Sequence, residues 1–328
     1  MIRRRLFCQA LGSAGTACAA IARAQAPTRV YRLGILDYGR PPSLPDPVPP
    51  PPDVFHAELA RLGLVEGANL RSDARSAHGD PALLDAVAAE LVATRPDVLY
   101  TDSGFAATRA LKKATTTIPI VFGAMGEPVA AGLVASLARP GGNLTGGAVP
   151  SELELKRIQI LFEVLGASAR AALLMFPLPP RRHARFFEAL GAARERLQII
   201  EVNRSEDLPG AFEQMVRLRV GGVAVALSPL TGTHSPEIAA LAVKHRLPGI
   251  GDGPYADLGM LMSYSIDWQE VERNAANYVY KIMKGAQPAD MPVEQVAKFD
   301  FVLNLKAARA LGVRVPSSVM IRATRLIN

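Results

Sequence analysis

The sequence predicts an α/β protein built from two parallel-sheet lobes, and three observations lead to that prediction. Apolar strand-like runs alternate with amphipathic helical stretches over most of the chain, as in parallel sheets. The stretch RPDVLYTDSGFAATRALKKATTTIPIV at 95–121 is echoed by VGGVAVALSPLTGTHSPEIAALAVKHRLPGI at 220–250. Each copy has an apolar run, a polar loop, an amphipathic stretch and a proline beside apolar residues. Finally, 328 residues exceed one ordinary core, so two lobes are expected.

Residues 1–26 read as an export signal that precedes the first lobe. Three arginines are followed by a small-residue apolar stretch and an A-x-A pattern at 22–24 or 24–26. Arg4-Arg5-Leu6-Phe7 resembles a twin-arginine motif, which leaves Sec and twin-arginine export both open. A spanning helix is disfavoured because the apolar part, about 10–22, is short. A lipid anchor at Cys18 is the weaker alternative. We therefore expect a periplasmic protein.

The basic charge does not indicate a nucleic-acid-binding protein. The formal charge is +7, but the export signal carries four arginines and no acidic residue, which leaves +3 after its removal. No Lys/Arg run with interleaved aromatic residues replaces that charge. Cys8 and Cys18 also lie in the signal, so the remaining chain has no thiol for a disulfide, a nucleophile or a metal site.

The elements of the first lobe follow in order from residue 30. A strand at 30–36 precedes a segment with eight prolines between Pro41 and Pro52, which is either a stiff surface spacer or a rigid flap. Asp53 caps a helix that Gly63 ends, and Asp80-Pro81 begins the helix after a strand near 69–75. The remaining prediction is a strand at 97–101, a helix at 104–114, a strand at 118–122, a helix at 128–138 and a strand at 143–149.

The second lobe repeats the alternation. A capping box formed by Ser151 and Glu154 opens a helix to about 166. Strands are predicted at 171–176, 198–202, 223–227, near 247–250 and at 260–267, and helices at 185–197, 210–219 and 236–246. Asp267 caps a helix at 268–285, and the segments 298–305 and 306–313 close the chain. These last elements are too few for a third domain, so we expect returns that join the lobes by several crossings.

Ligands of open parallel sheets bind beyond the carboxyl ends of the strands. The residues that follow the predicted strands are mostly Ser, Thr, Gly, Asp and Tyr, and few are catalytic bases. Free amides at the helix starts after Ser103 and Pro128 favour a carboxylate, whereas Asp102, Glu127 or Asp252 would hold an amine. A helix cap or turn is the alternative role of each residue. The candidate ligand-binding residues are Asp37, Tyr38, Thr101, Asp102, Ser103, Gly104, Met125, Gly126, Glu127, Phe176, Ser228, Asp252 and Tyr255.

Enzyme signatures are absent from the sequence. There is no phosphate loop of the form GxxxxGK[ST], no HExxH and no GxSxG elbow. The stretch 251–256 fits GxGxxA, but Pro254 interrupts it and it lies late in the chain. The five histidines are scattered without metal-ligand spacing. We therefore expect neither an enzyme nor a cofactor.

Several long segments make the chain resemble the ABC transporter substrate-binding protein family that includes tryptophan- and tyrosine-type binding proteins. The segments are ELARLGLVEGANL, DPALLDAVAAELVATRPDVLYTDSG, IPIVFGAMGEPVAAGLVASLARPGGNLTG, KHRLPGI and MSYSIDWQEVERNAANYVYKIMKGAQPADMPVEQVAKFDFVLNLKAARALGVRVP. The resemblance implies the periplasmic-binding protein type I fold, with two Rossmann-like lobes joined by a multi-strand hinge. It also implies a monomeric receptor that closes on a small molecule and presents it to an inner-membrane permease.

The resemblance predicts lobes, a hinge and one further ligand residue. The first lobe is placed at 27–146 plus about 266–288, and the second at 147–265 plus about 289–328. Gly146, Gly147, Ser263 and Ser265 are predicted hinge residues, and Tyr264 is a predicted ligand contact. DYGRPPSLPDPVPPPP and FPLPP depart from the family's usual loops after the first strand of each lobe, so the ligand stays unnamed. An exported sensor domain and a cleft enzyme are the alternative functions.

Overall fold

The computed structural model describes residues 29–39, 53–150, 152–175 and 186–328. The predicted export signal, the proline-rich segment, the Ser151 half of the capping box and Phe176 lie outside the described residues. Within those ranges no helix is long and apolar enough to cross a membrane.

Two sheets contain all the named strands of the described chain. The first has the order β2-β1-β3-β4-β5-β11 and the second the order β7-β6-β8-β9-β10-β12-β13. The strands are β1 Tyr31–Asp37, β2 Leu70–Ser76, β3 Val98–Thr101, β4 Ile120–Gly126, β5 Leu144–Val149, β6 Ala171–Met175, β7 Leu197–Glu201, β8 Val223–Val225, β9 Gly249–Gly251, β10 Met262–Ile266, β11 Glu294–Gln295, β12 Phe299–Asn304 and β13 Arg325–Ile327.

Helices connect these strands on both faces of each sheet. Those of the first lobe are α1 Val54–Arg61, α2 Leu84–Ala93 and α3 Gly104–Ala114. Those that follow are α4 Leu153–Leu165, α5 Leu208–Arg217, α6 Pro229–Thr233, α7 Ser235–Lys244, α8 Trp268–Met283, α9 Leu305–Leu311 and α10 Ser317–Met320. The predicted caps at Asp53 and Asp267 are confirmed, because their side chains accept from the His56 and Glu270 amides, each at 3.0 Å.

The order of the first five strands is the same in both sheets, which confirms the predicted repeat. β1 lies between β2 and β3, and β6 lies between β7 and β8, all in parallel pairs. β12 is antiparallel to β10 and is the exception among the paired strands of the described chain. The two lobes are therefore copies of one doubly wound unit, whose strand order reverses at β1/β3 and at β6/β8.

Each sheet is covered on both faces, so inner strands such as β3 and β6 are buried along their whole length rather than at alternate residues. In the first lobe α2 and α3 pack on one face and α1 and α8 on the other. In the second lobe α4 packs on one face and α5 and α7 on the other. A smaller apolar cluster joins the lobes, and its buried residues are Ala124, Leu153, Ile266 and Val271.

The chain passes between the sheets three times: after Val149, at Asp267, and after Gln295. Backbone hydrogen bonds link the crossing segments to one another. The Val296 amide donates to the Ala148 carbonyl at 2.9 Å, and the Asp267 amide donates to the Lys298 carbonyl at 3.0 Å. The predicted division after residue 146 falls inside β5, all of which pairs in the first sheet. Likewise β11, predicted for the second lobe, extends the first sheet beside β5.

The helix predicted at 128–138 does not form. The backbone instead makes short turns, among them the Ala131 amide to the Glu127 carbonyl at 3.0 Å and the Gly132 amide to the Val129 carbonyl at 2.9 Å. Glu127 and Gly132 both have positive φ, +51° and +68°, which breaks the helical path at either end of the first turn. The Lys112 ammonium group then binds the freed carbonyls of Gly132 and Leu133, both at 2.8 Å.

Candidate ligand-binding cleft

The carboxyl ends of the strands of both sheets face one gap. The chain leaves the carboxyl end of β5 and enters the start of α4, which lies at the carboxyl edge of the second sheet. It returns from the carboxyl end of β10 to the start of α8, at the corresponding edge of the first sheet. Because both crossings join one carboxyl edge to the other, the predicted strand-end residues belong to a common cleft region between the lobes.

The first-lobe side of this cleft is built where β1 and β3 diverge. The Ser103 hydroxyl accepts from the Tyr38 amide at 2.8 Å and lies 3.3 Å from a carboxylate oxygen of both Asp37 and Asp102. The Ser103 amide in turn donates to the Thr101 hydroxyl at 3.2 Å. The structure therefore brings together five predicted residues at the strand-order reversal, where a ligand approaches open helix amides.

Gly104 begins α3, the helix that follows β3. Its φ of +72° suits glycine, and no side chain of Ser103 caps the first turn. The uncapped amides of an 11-residue helix favour an anionic group such as a carboxylate. The second predicted anion position, after Pro128, is lost because that helix does not form.

Asp102 lies on a concave surface. Its side chain is exposed, yet burial among the surrounding protein and the nearby Asp37 carboxylate raise its pKa. A side chain that solvent can reach, but that protein atoms largely surround, is typical of a crevice. Tyr38 is half-buried beside it, and burial followed by the charge of Asp80 raises the pKa of its hydroxyl.

The end of β4 contributes less than the sequence predicts. Met125 is 3% exposed and packs in the core between the first sheet and α2 and α3, so its side chain points away from the cleft. Gly126 and Glu127 are half-buried at the strand end. Gly126 and Glu127 therefore lie at the edge of the cleft, whereas the Met125 side chain does not line it.

The second-lobe side is dominated by a buried ionic cluster that the sequence analysis missed. The Arg157 guanidinium is fully buried and pairs with Asp252 and, at 3.0 Å, with Glu154. It also donates to the Tyr264 carbonyl at 2.6 Å. The other Asp252 oxygen accepts from the indole of Trp268 at 3.2 Å. Both oxygens of Asp252 are therefore occupied within the protein, and this predicted amine ligand serves as a structural counter-ion.

Burial raises the pKa of both acids in this cluster, and the Arg157 charge opposes that shift. One Glu154 oxygen is buried without a hydrogen-bond partner in the described chain, while the other also accepts from the Leu227 amide at 3.3 Å. The sequence carried one signal of this cluster. Arg157 lies four residues after Leu153 and three before Ile160, on the apolar stripe of α4.

Ser228 and Tyr264 have structural partners. Ser228 caps α6, where its hydroxyl accepts from the Thr231 amide at 3.1 Å. The Tyr264 ring stacks on Phe299 at 5.7 Å between centroids and remains half-buried, and burial raises the pKa of its hydroxyl. Of these two residues, Tyr264 stays partly exposed, close to the chain crossing at Asp267.

Tyr255 lies in the second-lobe core. It is 2% exposed, its ring packs against Gly251, and its hydroxyl donates to the Thr231 carbonyl at 2.7 Å. We expect Tyr255→Phe to cost about 1 to 3 kcal/mol of unfolding free energy, because the carbonyl loses its buried partner. Urea unfolding measures this. Ligand affinity should be unchanged, and a large loss of affinity would instead place this side chain in the cleft.

The predicted hinge residues lie inside strands rather than in the crossings. Within β5, Gly146 pairs with Phe122 of β4 and Gly147 pairs with Glu294 of β11. Ser263 and Ser265 pair with β12 inside β10. A small cavity beside the two glycines, under α8, is lined by Gly123, Val271 and Tyr278 among others. The hinge assignment of these four residues stays a prediction.

The comparisons with known proteins agree with this architecture. Residues 53–327 match the family described as ABC transporter substrate binding protein. The chain belongs to this family. A tyrosine-binding protein of Clostridioides difficile strain R20291 is 24% identical over 266 residues, which are 79% of this chain and 76% of that protein.

Two crystal structures show the same fold as this substrate-binding protein. A conserved domain protein from Vibrio cholerae has a TM-score of 0.78 at 25% identity, and the match covers 91% of this chain and 100% of that one. The ABC domain in complex with L-Trp from Streptococcus pneumoniae has a TM-score of 0.77 at 22% identity, with the same coverage. The predicted family and the periplasmic-binding protein type I fold are thereby confirmed.

Proposed function

We propose that this substrate-binding protein is the extracytoplasmic receptor of an ABC importer, which captures a small ligand between its lobes and delivers it to a membrane permease. The observation that carries the proposal is the pair of matching sheets whose strand ends face one gap across three chain crossings. Ligand contacts to both lobes form only when the lobes close, so binding shifts an open–closed equilibrium. The protein acts as a monomer and performs no chemistry on the ligand.

The ligand is amino-acid-like or aromatic and bears a carboxylate. The open amides of α3 at Gly104 favour a carboxylate. The tyrosine-binding relative and the L-Trp complex among the structural neighbours support the same class. Asp37, Asp102 and Ser103 at the strand-order reversal supply the polar contacts that orient a ligand in such a crevice.

A ligand screen tests this function. A mature protein without the export signal is titrated with amino acids, aromatic acids, purines and small sugars, and its thermal unfolding is followed. A compound at 100 times its dissociation constant should stabilise the protein by about 2.7 kcal/mol.

Lobe closure is measured in the same samples. The sole tryptophan, Trp268, begins α8 at a crossing and donates to Asp252 of the other lobe, so its fluorescence should change on binding. Solution scattering should show a smaller radius of gyration with the ligand. Turnover of a bound compound, or a shape that no binding compound alters, would contradict the proposal.

A further inference from the structure

A buried hydroxyl without a partner lies behind the first-lobe side of the cleft. Tyr100 is 5% exposed in β3, and its ring stacks on Phe55 at 4.2 Å between centroids. Its hydroxyl oxygen forms no hydrogen bond with any described residue. A buried polar atom left unpaired costs free energy, so such an atom in a ligand-binding protein points to a group that arrives from outside.

The charges of three acidic side chains act on this hydroxyl. The charges of Asp102, Glu272 and Asp53 all act on it and, after burial, raise its pKa. Asp53 is occupied by His56, whose Nδ1 lies 2.8 Å away. Burial and then the charge of Asp102 raise the pKa of Glu272 of α8, and the Val54 amide at the start of α1 opposes this shift. In the described chain no lysine or arginine forms an ion pair with Asp37, Asp102 or Glu272, although the Arg273 charge reaches Glu272.

The space between the hydroxyl and Asp102 is kept open by Gly123 of β4. A Cβ atom at this position would lie 3.2 Å from the Tyr100 hydroxyl oxygen and 3.2 Å from the Asp102 Cβ. The hydroxyl and the Asp102 side chain therefore flank one spot beside Gly123, and Asp102 connects this spot to the exposed crevice beside Ser103.

We propose that the Tyr100 hydroxyl, Asp102 and Glu272 form a subsite for a cationic group of the ligand, an ammonium or a guanidinium group. A cation would reduce the repulsion between the clustered carboxylates and give the orphaned hydroxyl oxygen a donor. This inference rests on the proposed receptor function and narrows its ligand to compounds that carry a positive charge, such as an amino acid.

Three matched probes test the subsite: L-tyrosine, tyramine, which lacks the carboxylate, and 3-(4-hydroxyphenyl)propionate, which lacks the amine. Amino acids and amines with other side chains, including L-tryptophan, L-arginine and putrescine, complete the set, and calorimetry measures each dissociation constant. The compounds that bind should carry a cationic group, and removing that group should weaken binding at least about tenfold.

Variants separate the subsite from general effects on the fold. Asp102→Asn and Glu272→Gln should each weaken binding of the cationic compound about 10- to 100-fold, and Tyr100→Phe about 3- to 10-fold. Tyr100→Phe should leave the thermal stability of the ligand-free protein unchanged or higher, because it removes an unpaired buried hydroxyl. Asp290→Asn and Glu163→Gln are charge-matched controls far from the cleft and should leave affinity within about twofold.

The outcomes distinguish the inference from the receptor function. Equal affinity for the compound with and without its amine, or an unchanged dissociation constant in Asp102→Asn, overturns the cation subsite while the receptor function stands. Binding confined to neutral or purely anionic compounds does the same. If no compound of the full screen binds, both proposals fail.

Discussion

Arg157→Met is expected to lower the free energy of unfolding by about 3 to 5 kcal/mol, the typical cost of removing one partner from a buried ion pair. The Arg157 side chain is 1% exposed and is the cation between the carboxylates of Asp252 and Glu154. Methionine fills much of the same volume without charge, so two acids would stay buried without a counter-ion. The Tyr264 carbonyl would also lose its donor beside a lobe crossing.

Urea unfolding followed by circular dichroism measures this loss. Arg322→Gln is the matched control, since Arg322 pairs with Glu163 at the surface of the same lobe and should cost below about 1 kcal/mol. A loss of similar size in the two variants would contradict the role of Arg157 as a buried counter-ion.

The Arg157→Met defect should shrink as the pH falls from 8 towards 5. Burial already raises the pKa of Asp252 and Glu154 in the folded protein, and the Arg157 charge is what opposes this. Without the arginine, the folded state binds protons that the unfolded state releases, so acidification favours the folded variant. Unfolding curves at several pH values should therefore converge on the wild type at low pH. A defect that grows with acidity would contradict this account.

Gly146→Ala is expected to cost at least about 3 kcal/mol or to prevent folding. Gly146 has a φ of +155°, and a Cβ atom there would lie 2.0 Å from the Phe122 carbonyl oxygen of β4. That neighbour is backbone in the middle of a sheet and cannot rotate away, so β4 and β5 would have to separate next to the irregular register between Phe122 and Met125.

Gly142→Ala is the control for this substitution. Gly142 lies four residues earlier, no atom lies within 4 Å of the position that an alanine methyl group would take, and its φ is not in the left-handed range. Its replacement should change stability by less than about 1 kcal/mol, in either direction. Thermal unfolding of both variants measures the difference. If Gly146→Ala unfolds at the wild-type temperature, the close approach of β4 and β5 is not what requires glycine.

Several site residues are predictable because strand ends of a parallel sheet converge at one edge. The alternation pattern alone predicts Asp37, Tyr38, Thr101, Asp102 and Ser103 there, and the structure joins them around the Ser103 hydroxyl. The predicted export signal and Phe176 lie outside the described residues.

The prediction is wrong for other residues because the same local pattern occurs both at a ligand site and inside the protein core. Asp252 follows a strand, as an amine ligand would, but its partner Arg157 is 95 residues away and invisible to local inspection. Tyr255 follows the same strand, yet the turn after β9 folds its ring back onto Gly251. The helix at 128–138 has good helical residues, but positive φ at Glu127 and Gly132 breaks it.

The sequence by itself determined the fold class and the plan of each lobe, because hydrophobic periodicity, caps and the repeated βαβ pattern are local properties. Only the tertiary structure decided which polar groups form hydrogen bonds or ion pairs within the protein and which remain for a ligand. Pairings such as Arg157 with Asp252, and the orphaned hydroxyl of Tyr100 beside Asp102, depend on distances between segments far apart in the chain. A buried polar group that lacks a partner costs free energy, and no local sequence pattern shows which polar groups are buried.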